Sequence, residues 1–370
     1  MYLRTIYSSI TNALFKGKAV IVYGARQVGK TTLCHAITKN YEHVLYLNGD
    51  DPYTQQLLIN KSISDYQSLF SGYQIVCIDE AQMVTNIGSV LKLIVDHLPN
   101  VQLIVTGSSS FDLANQVNEP LTGRAYIFHL YPLSVSEIIS TIWTIGFDQQ
   151  LHQRLVFGMY PEAVAHNHEK TLITLSEHYI YKDVLMVDMI KRSDSIIKLL
   201  QALAYQIGNK VSYLELWQIV WLDSRTIQKY IHILEQAFII FRLPSFSKNL
   251  RNELKKSHKI YFWDNGVRNS LIRRFTPVDQ RDDVWSLREN FIISEIKKKD
   301  AYNNILSLSY FRRTKQQQEI DYITIYNDIL TAYECKRNSN KHFKRPESFM
   351  NSYQASYHII NRDNYLNYLQ

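Results

Sequence analysis

The chain has 370 residues, of which 46% are hydrophobic and 20% charged, and its formal net charge is +7. This composition excludes a disordered chain and supplies enough apolar residues for the cores of two or three domains. No apolar run approaches the ~20 residues that a membrane-spanning helix needs, and no basic-then-apolar leader opens the sequence, so we expect no membrane segment.

The three cysteines, Cys34, Cys77 and Cys335, show neither a CxxC pair nor the spacing of a metal site. Cys77 and Cys335 lie inside predicted strands, where a cysteine behaves as a small buried apolar residue. Free buried cysteines are typical of a reducing compartment, and we therefore predict a cytoplasmic protein.

The first predicted element is an apolar strand, Ala19–Tyr23, followed by the pattern GARQVGKT and a helical run. A strand, a glycine-rich loop and a helix in this order form a Walker A motif, in which backbone N–H groups surround the phosphates. Lys30 is predicted to reach the β- and γ-phosphates, and the Thr31 hydroxyl to bind Mg²⁺. The residues predicted to contact the nucleotide are Gly24, Ala25, Arg26, Gln27, Val28, Gly29, Lys30, Thr31 and Thr32.

A second buried strand in the segment YQIVCIDEAQ ends in two carboxylates, Asp79 and Glu80. Its apolar residues suit a parallel strand that is covered on both faces. Asp79 is placed for the Walker B role, in which it holds the Mg²⁺ shell. Glu80 is predicted to orient and deprotonate the attacking water.

The strand in VQLIVTGSSS ends in hydroxyl residues, and among these we select Ser108 as a sensor of the γ-phosphate; a serine-rich loop cap is the alternative. With HVLYLN and RAYIFHL the sequence predicts five parallel strands in a doubly wound α/β domain. Arg124 is either an arginine finger that acts on a neighbouring subunit of a homo-oligomer or a surface arginine. The same two alternatives hold for Arg26.

Three helical runs follow, SIIKLLQALAYQIG, SYLELWQIVW and SRTIQKYIHILEQAFII, and then two extended segments, which together predict a winged helix. The segment from Lys248 to Lys315 contains 16 Lys and Arg against 8 Asp and Glu. Such a basic stretch indicates either a nucleic-acid partner or a solvated face. If the third helix contacts DNA, it presents Ser224, Arg225, Gln228 and Lys229.

The segment EIDYITIYNDILTAYECK reads as a β-hairpin around the two-residue turn Asn327-Asp328. This turn pairs Tyr326 with Ile329. Counting outward from this pair along both strands gives the residue pairs at the end of the hairpin away from the turn, where the acidic side chains lie.

In that register Asp321 lies opposite Glu334, and Glu319 opposite Lys336. Two carboxylates at about 5 Å repel each other by about 3 kcal/mol at an effective dielectric near 20. One interpretation is a salt-bridge ladder with Lys336; the other is a site for a hard divalent cation. A one-residue bulge would undo the register on which both depend.

The order of the motifs GARQVGKTTL, IDEAQ, TGSSS, LTGRA, YPLSVSEI, FWDNGVRNSL, LRENFIISEI and EIDYI…YECK resembles that of a large prokaryotic group of AAA-like ATP-binding proteins. Members of this group carry a C-terminal domain of unknown function that looks like the PD-(D/E)XK nuclease fold. The likeness extends over nearly the whole chain. One departure is Ala25, where a proline is common.

The resemblance implies that Asp321, Glu334 and Lys336 occupy the D and ExK positions of the nuclease motif. It also implies a helical glutamate, for which Glu289 is the first match and Glu295 the second. In that motif the acids bind Mg²⁺ or Mn²⁺, and Lys336 positions or activates the attacking water. The catalytic residues expected overall are Lys30, Glu80, Asp321, Glu334 and Lys336.

The expected fold class is α/β: a P-loop NTPase sheet, then a helical and winged-helix region, then a restriction-endonuclease-like domain. The expected domains are 1–135 (ATPase), 136–194 (helical linker), 195–263 (winged helix) and 264–370 (nuclease-like). We expect an ATP- and Mg²⁺-dependent ATPase that acts on or near DNA. The alternative is an ATP-gated regulatory or scaffolding switch whose nuclease-like domain only binds a partner.

Overall fold

The computed structural model describes residues 2–107, 120–179, 184, 193–246, 258–313, 319–337 and 346–370. The chain forms two compact units. The first contains the residues up to Leu133 with the described parts of 177–189 and 236–238, and the second contains the rest. Among the described residues, no helix combines the length and apolar character needed to cross a bilayer.

The first unit is built on a five-stranded parallel sheet in the order β2-β3-β4-β1-β5. Every residue of β1 and of β4 is buried, as expected for central strands of a parallel sheet. The predicted α/β fold with five parallel strands is confirmed. The strands are β1 (Ala19–Gly24), β2 (Val44–Asn48), β3 (Ile75–Asp79), β4 (Gln102–Gly107) and β5 (Ala125–Leu130).

Helices connect these strands, and their starting points follow local sequence signals. Ser62 and Asp65 form a reciprocal capping box at the start of one helix, and Asp51 caps another. The helices are α1 (Tyr7–Thr11), α2 (Lys30–Thr38), α3 (Pro52–Leu58), α4 (Ile63–Leu69) and α5 (Ile87–His97), with a 3₁₀ turn at Ala81–Met83.

The following helices are α6 (Val135–Phe157), α7 (Pro161–His166), α8 (Glu169–Tyr179), α9 (Ser193–Tyr205), α10 (Tyr213–Val220), α11 (Ser224–Gln236), α12 (Asn265–Leu271), α13 (Val284–Tyr302), α14 (Glu347–Tyr353) and α15 (Leu366–Leu369), with a 3₁₀ turn at Val278–Gln280. Helix α6 is kinked at Trp143, where φ is 64°. Helices α9, α10 and α11 confirm the three helical runs predicted for this part of the chain.

A small antiparallel sheet accompanies these three helices, with strands in the order β6-β8-β7. Its strands are β6 (Lys210–Val211), β7 (Ile240–Pro244) and β8 (His258–Phe262). The two extended segments predicted after the helices are therefore present as β7 and β8. The winged-helix assignment stays an interpretation of this arrangement.

The C-terminal sheet has the order β12-β11-β10-β9, in which β11 and β12 are parallel and the other neighbours antiparallel. The predicted hairpin is β10 and β11, and its turn residues Asn327 and Asp328 have φ of 48° and 62°, as a two-residue turn requires. The predicted register holds for five pairs, from Tyr326 with Ile329 to Tyr322 with Tyr333. The strands are β9 (Leu308–Arg313), β10 (Glu319–Tyr326), β11 (Ile329–Cys335) and β12 (Ser356–Ile360).

Buried polar side chains tie the elements of the second unit together. The Asp264 carboxylate accepts from the backbone N–H of Met159 at 2.6 Å. The Asn290 amide bonds both the N–H and the C=O of Phe262, at 2.7 and 3.0 Å. Because buried backbone groups must be paired, these residues of the FWDNGVRNSL and LRENFIISEI motifs have a structural role.

Candidate nucleotide and carboxylate sites

The loop between β1 and α2 has the backbone that its glycines permit. A Cβ on Gly24 would lie 2.3 Å from the carbonyl oxygen of Leu130, so any larger residue would push β1 away from the end of β5. Gly29 has a φ of 97°, in the left-handed region that favours glycine, and directly precedes α2. The N-terminal amides of α2 are therefore available to an anion at the loop.

Lys30 is the first residue of α2 and is only 5% exposed. Its ammonium donates to the carbonyl oxygens of Gly24 and Ala25, each at 3.0 Å. The ammonium therefore lies inside the curve of the loop, where the phosphates are expected.

Arg4 is a residue of this site that the sequence did not reveal. Its guanidinium donates to the Val28 carbonyl in the loop and to the Tyr131 carbonyl just after β5, each at 2.6 Å. The side chain is buried and remote in sequence from the motif, so no local pattern indicated it. Arg4 thus links the loop to the segment that follows β5.

Walker A and Walker B meet at Asp79, the last residue of β3. The Thr31 hydroxyl donates to Asp79 Oδ2 at 2.5 Å, and the Thr106 hydroxyl at the end of β4 donates to Asp79 Oδ1. The parallel strand order brings these ends together, because β4 lies between β1 and β3. A hydroxyl and a carboxylate side by side are the oxygen ligands that Mg²⁺ prefers, so the residues present fit this ion.

Glu80 follows Asp79 in the left-handed backbone region, with a φ of 49°. The Gln82 amide donates to its carboxylate at 2.5 Å. The side chain is half-buried. A left-handed backbone at a non-glycine residue costs free energy, so the surrounding structure must hold Glu80 in place.

The other residues predicted in this region have mixed environments. Val28 is buried, Arg26 half-buried, and Gln27 and Thr32 exposed. Ser108, the predicted phosphate sensor, lies outside the described residues together with Ser109 and Ser110. Thr106 is the hydroxyl residue of that strand end that contacts Asp79.

Arg124 pairs with Asp96 of its own chain at 2.6 Å, and both side chains are about one-third exposed (38% and 32%). This contact agrees with a surface arginine, the alternative to an arginine finger. The finger and the homo-oligomer that it requires stay predictions.

In the second unit, Lys259 of β8 lies within a group of three carboxylates. Its ammonium is 2.8 Å from Glu319 Oε1, 3.2 Å from Glu289 Oε1 and 3.8 Å from Asp321 Oδ1. The Lys259 side chain is 3% exposed. Burial lowers the pKa of Lys259, but the three carboxylates outweigh burial, and this pKa lies well above its ordinary value. The side chain is therefore a charged ammonium at the centre of the acids.

Asp321 also accepts from the backbone N–H of Cys335 at 2.9 Å. Burial and the nearby Glu289 carboxylate raise the pKa of Asp321, while Lys259 acts against this rise. The irregularity of this strand lies on its other side: the pairing of β10 with β9 shifts between Ile320 and Ile323, whereas the five pairs that join β10 to β11 keep the predicted register.

The predicted metal ligands Asp321, Glu289 and Glu334 do not form one group. Glu334 pairs with Lys336 and accepts from the hydroxyl of Tyr357, whereas the other two acids contact Lys259. Within the part of the chain that the structure describes, no three His, Cys, Asp or Glu side chains are arranged to hold a metal ion. The physical reasons are that the Lys259 ammonium lies among Glu289, Glu319 and Asp321, and that Glu334 has Lys336 and Tyr357 as its partners.

Glu295, the second match for the helical glutamate, has a structural environment. One of its oxygens accepts from the N–H of Val135, the first residue of α6, at 2.8 Å, and the other from Lys298 at 2.6 Å. Glu289 is thus the helical glutamate that lies beside Asp321.

The four residues predicted to face DNA on α11, Ser224, Arg225, Gln228 and Lys229, are all exposed. Trp217 and Trp221 at the end of the preceding helix are also exposed, at 43% and 75%. Their ring centroids are 6.4 Å apart. Basic side chains and exposed aromatic rings thus occur on consecutive elements.

A family model described as an AAA domain matches residues 16–139. Models of two domains of unknown function, DUF8612 and DUF4143, match residues 148–278 and 286–368. An uncharacterized protein of Mycobacterium tuberculosis is 24% identical over 356 residues, which cover 92% of this chain and 75% of that protein. An uncharacterized protein of Haemophilus influenzae is 22% identical over 355 residues, with coverages of 87% and 84%.

A Walker-type ATPase of Pyrococcus abyssi is similar in structure, with a TM-score of 0.50 and 15% sequence identity. The likeness covers 74% of this chain and 96% of that one. Together with the match of residues 16–139 to an AAA domain, it supports the fold of a P-loop ATPase.

Proposed function

We propose that this AAA-like P-loop protein is a Mg²⁺-dependent ATPase. The observation that carries the proposal is the contact between Thr31 and Asp79, 2.5 Å apart next to the glycine-rich loop. When bound there, Mg²⁺ would neutralise charge on the phosphate oxygens, and Thr31 and Asp79 would hold it.

The remaining roles follow from chemistry. Lys30 and the amides at the start of α2 bind the β- and γ-phosphates. Glu80 directly follows the metal-holding Asp79 and is not needed to hold the metal, so it orients the water and accepts its proton. The Thr106 hydroxyl keeps the Asp79 carboxylate oriented.

Release of inorganic phosphate from ATP by the purified chain tests this proposal. We expect release with Mg²⁺, none with EDTA, and none from Lys30→Ala, which should also fail to bind ATP. Lys16→Met, a change at an exposed lysine before the loop, is the matched control and should keep wild-type turnover. Equal turnover by Lys30→Ala and wild type would contradict the proposal.

We further propose that the second unit binds nucleic acid through α10 and α11. The exposed Arg225 and Lys229 would contact phosphates. The exposed Trp217 and Trp221 offer ring faces on which unpaired bases stack. This combination supports a single-stranded or locally opened strand as the ligand.

For the C-terminal part, we propose a nuclease-like fold that binds without metal-dependent cleavage. The secondary-structure elements follow the order that the resemblance to PD-(D/E)XK proteins leads us to expect. This order is the helix α13, three antiparallel strands, the helix α14 and a final parallel strand. The ammonium of Lys259 among the acids supports binding without cleavage. ATP hydrolysis would then switch a binding module, which favours the regulatory alternative.

Incubation with single- and double-stranded DNA plus Mg²⁺ or Mn²⁺, with and without ATP, separates binding from cleavage. We expect binding and intact DNA. Cleavage that is lost in Glu334→Ala and Lys336→Ala, while ATP hydrolysis persists, would instead establish a nuclease.

A further inference from the structure

An open pocket lies between α6, α13 and the end of β12 in the second unit. Its lining includes apolar and aromatic side chains, among them Trp285 and Phe291. It also includes three cationic side chains: Arg288, Lys336 and Arg362. The pocket is separate from the Lys259 cluster, since none of that cluster's residues lines it.

Arg288 is a pocket cation for which the described residues supply no ion-pair partner. It is half-buried, and its Nε is shielded from solvent without a hydrogen-bond partner. It forms no ion pair with any residue that the structure describes. Burial lowers its pKa, and so do its charged neighbours Arg362 and Arg337. Two guanidiniums, those of Arg288 and Arg362, thus line this pocket together with the Lys336 ammonium.

Two acids near the pocket already contact residues that line it, and among the described residues neither forms an ion pair with Arg288. Glu334 pairs with Lys336, and Asp148 accepts from the Tyr365 hydroxyl at 3.1 Å. A half-buried guanidinium next to further guanidiniums is unfavourable unless an anion joins it, because each buried charge needs a compensating one.

We propose that this pocket binds a phosphate group, with Arg288 as the principal contact and Arg362 and Lys336 at the rim. Phosphate matches the planar guanidinium fork, which donates two parallel hydrogen bonds to its oxygens. Trp285 lies one helical turn before Arg288 on α13 and also lines the pocket, so its ring suits a nucleobase attached to that phosphate. The ligand class is therefore a nucleotide unit, either within a nucleic-acid strand or free.

The strand form rests on the nucleic-acid binding proposed above, whereas the free nucleotide does not. Lys336 takes a different role here from the one that the nuclease resemblance implies. It contacts the phosphate and, through Glu334, connects the pocket to the hairpin.

The test uses the full chain with Lys30→Ala, which removes nucleotide binding at the P-loop. Fluorescein-labelled oligo(dT) and AMP are titrated separately. In this background we expect Arg288→Met to weaken binding of oligo(dT) about tenfold or more, the loss of one charge-assisted contact. Arg362→Met, at an exposed position, should act in the same direction. Lys170→Met, which removes an equal charge from an exposed site on α8, should change binding less than twofold.

The outcomes separate the two proposals. If AMP binds in an Arg288-dependent manner and oligo(dT) does not bind, the pocket takes free nucleotides and the nucleic-acid proposal is wrong. If oligo(dT) binds equally to the Arg288→Met, Arg362→Met and Lys170→Met proteins, nucleic-acid binding stands and the phosphate pocket is overturned. If neither probe binds the Lys30→Ala protein, both are overturned.

Discussion

The Thr31 hydroxyl donates to the carboxylate of Asp79 at 2.5 Å, although the two residues lie 48 positions apart in the sequence. The contact joins the start of α2 to the end of β3 and creates one oxygen-rich point beside the glycine-rich loop. Thr106 reaches the same carboxylate from β4. The carboxylate is thus held on both sides, which favours a preorganised site.

Arg4→Met should weaken ATP binding, because the guanidinium braces the Val28 carbonyl of the loop. We expect the KM for ATP to rise by roughly tenfold, the effect of about 1.4 kcal/mol, while kcat stays nearly constant. Steady-state kinetics separates the two constants. Lys16→Met is the control; a fall in kcat with unchanged KM would show that Arg4 does not act through the loop.

Lys259→Met should lower the free energy of unfolding by about 3 kcal/mol, because three buried or half-buried carboxylates lose their cation. Mn²⁺ should then raise the stability of this variant and leave the wild type unchanged. Denaturant unfolding with and without Mn²⁺ measures both effects, and Lys198→Met, exposed on α9, is the control. Stabilisation of the wild type by Mn²⁺ that disappears in Asp321→Asn would mean that the acids hold a metal after all.

Binding of nucleic acid should depend steeply on salt. Loss of one phosphate contact, by Arg225→Met or Lys229→Met, should reduce the slope of log affinity against log salt by about 0.7 for single strands and 0.9 for duplex. Fluorescence anisotropy between low and physiological salt gives the slopes. Unchanged slopes in both variants would remove α11 from the interface.

Asp283→Asn should destabilise the second unit. The Asp283 carboxylate contacts Arg268 at 2.6 Å and Arg281 at 2.8 Å, and both guanidiniums are buried. We expect a loss of about 3 kcal/mol near pH 7, because two buried cations lose their partner. Asp282→Asn is the matched control, since Asp282 is 84% exposed and pairs with the partly exposed Arg274.

The pH dependence of this loss has a definite sign. Burial acts to raise the pKa of Asp283, but hydrogen bonds and charge from Arg281 and Arg268 outweigh burial and hold it well below its ordinary value. Such a group contributes stability above its unfolded pKa of about 3.9 and loses that contribution as the pH falls further. The difference between wild type and Asp283→Asn should therefore be constant near neutrality and shrink below about pH 4. A difference that grows on acidification would contradict the assignment.

The nucleotide site could be predicted because its signals are local. Walker A needs a strand, a loop and a helix in one contiguous stretch, and the acids Asp79 and Glu80 directly follow a buried strand. Parallel pairing then brings the strand ends together without further information. The hairpin turn at Asn327 and Asp328 was predictable for the same reason.

The carboxylate cluster around Lys259 could not be predicted, because the lysine belongs to a different part of the chain from the acids of the hairpin. Lys259 lies on a different sheet, some distance before the hairpin in sequence, and only tertiary packing brings it to Asp321. The register shift next to Asp321 has no sequence signature either. Arg4 and Arg288 could not be predicted for the same reason. Their roles depend on the backbone carbonyls or the charges near them, and only tertiary packing determines these.

The central claim is that ATP is hydrolysed at the Asp79 and Glu80 strand end, and the most direct test is single-turnover ATP hydrolysis by Glu80→Gln beside an ATP-binding titration. The account predicts unchanged ATP affinity and a loss of turnover of about 100-fold or more, because Glu80 handles the water and not the phosphates. Turnover equal to that of the wild type, with ATP bound normally, would contradict it.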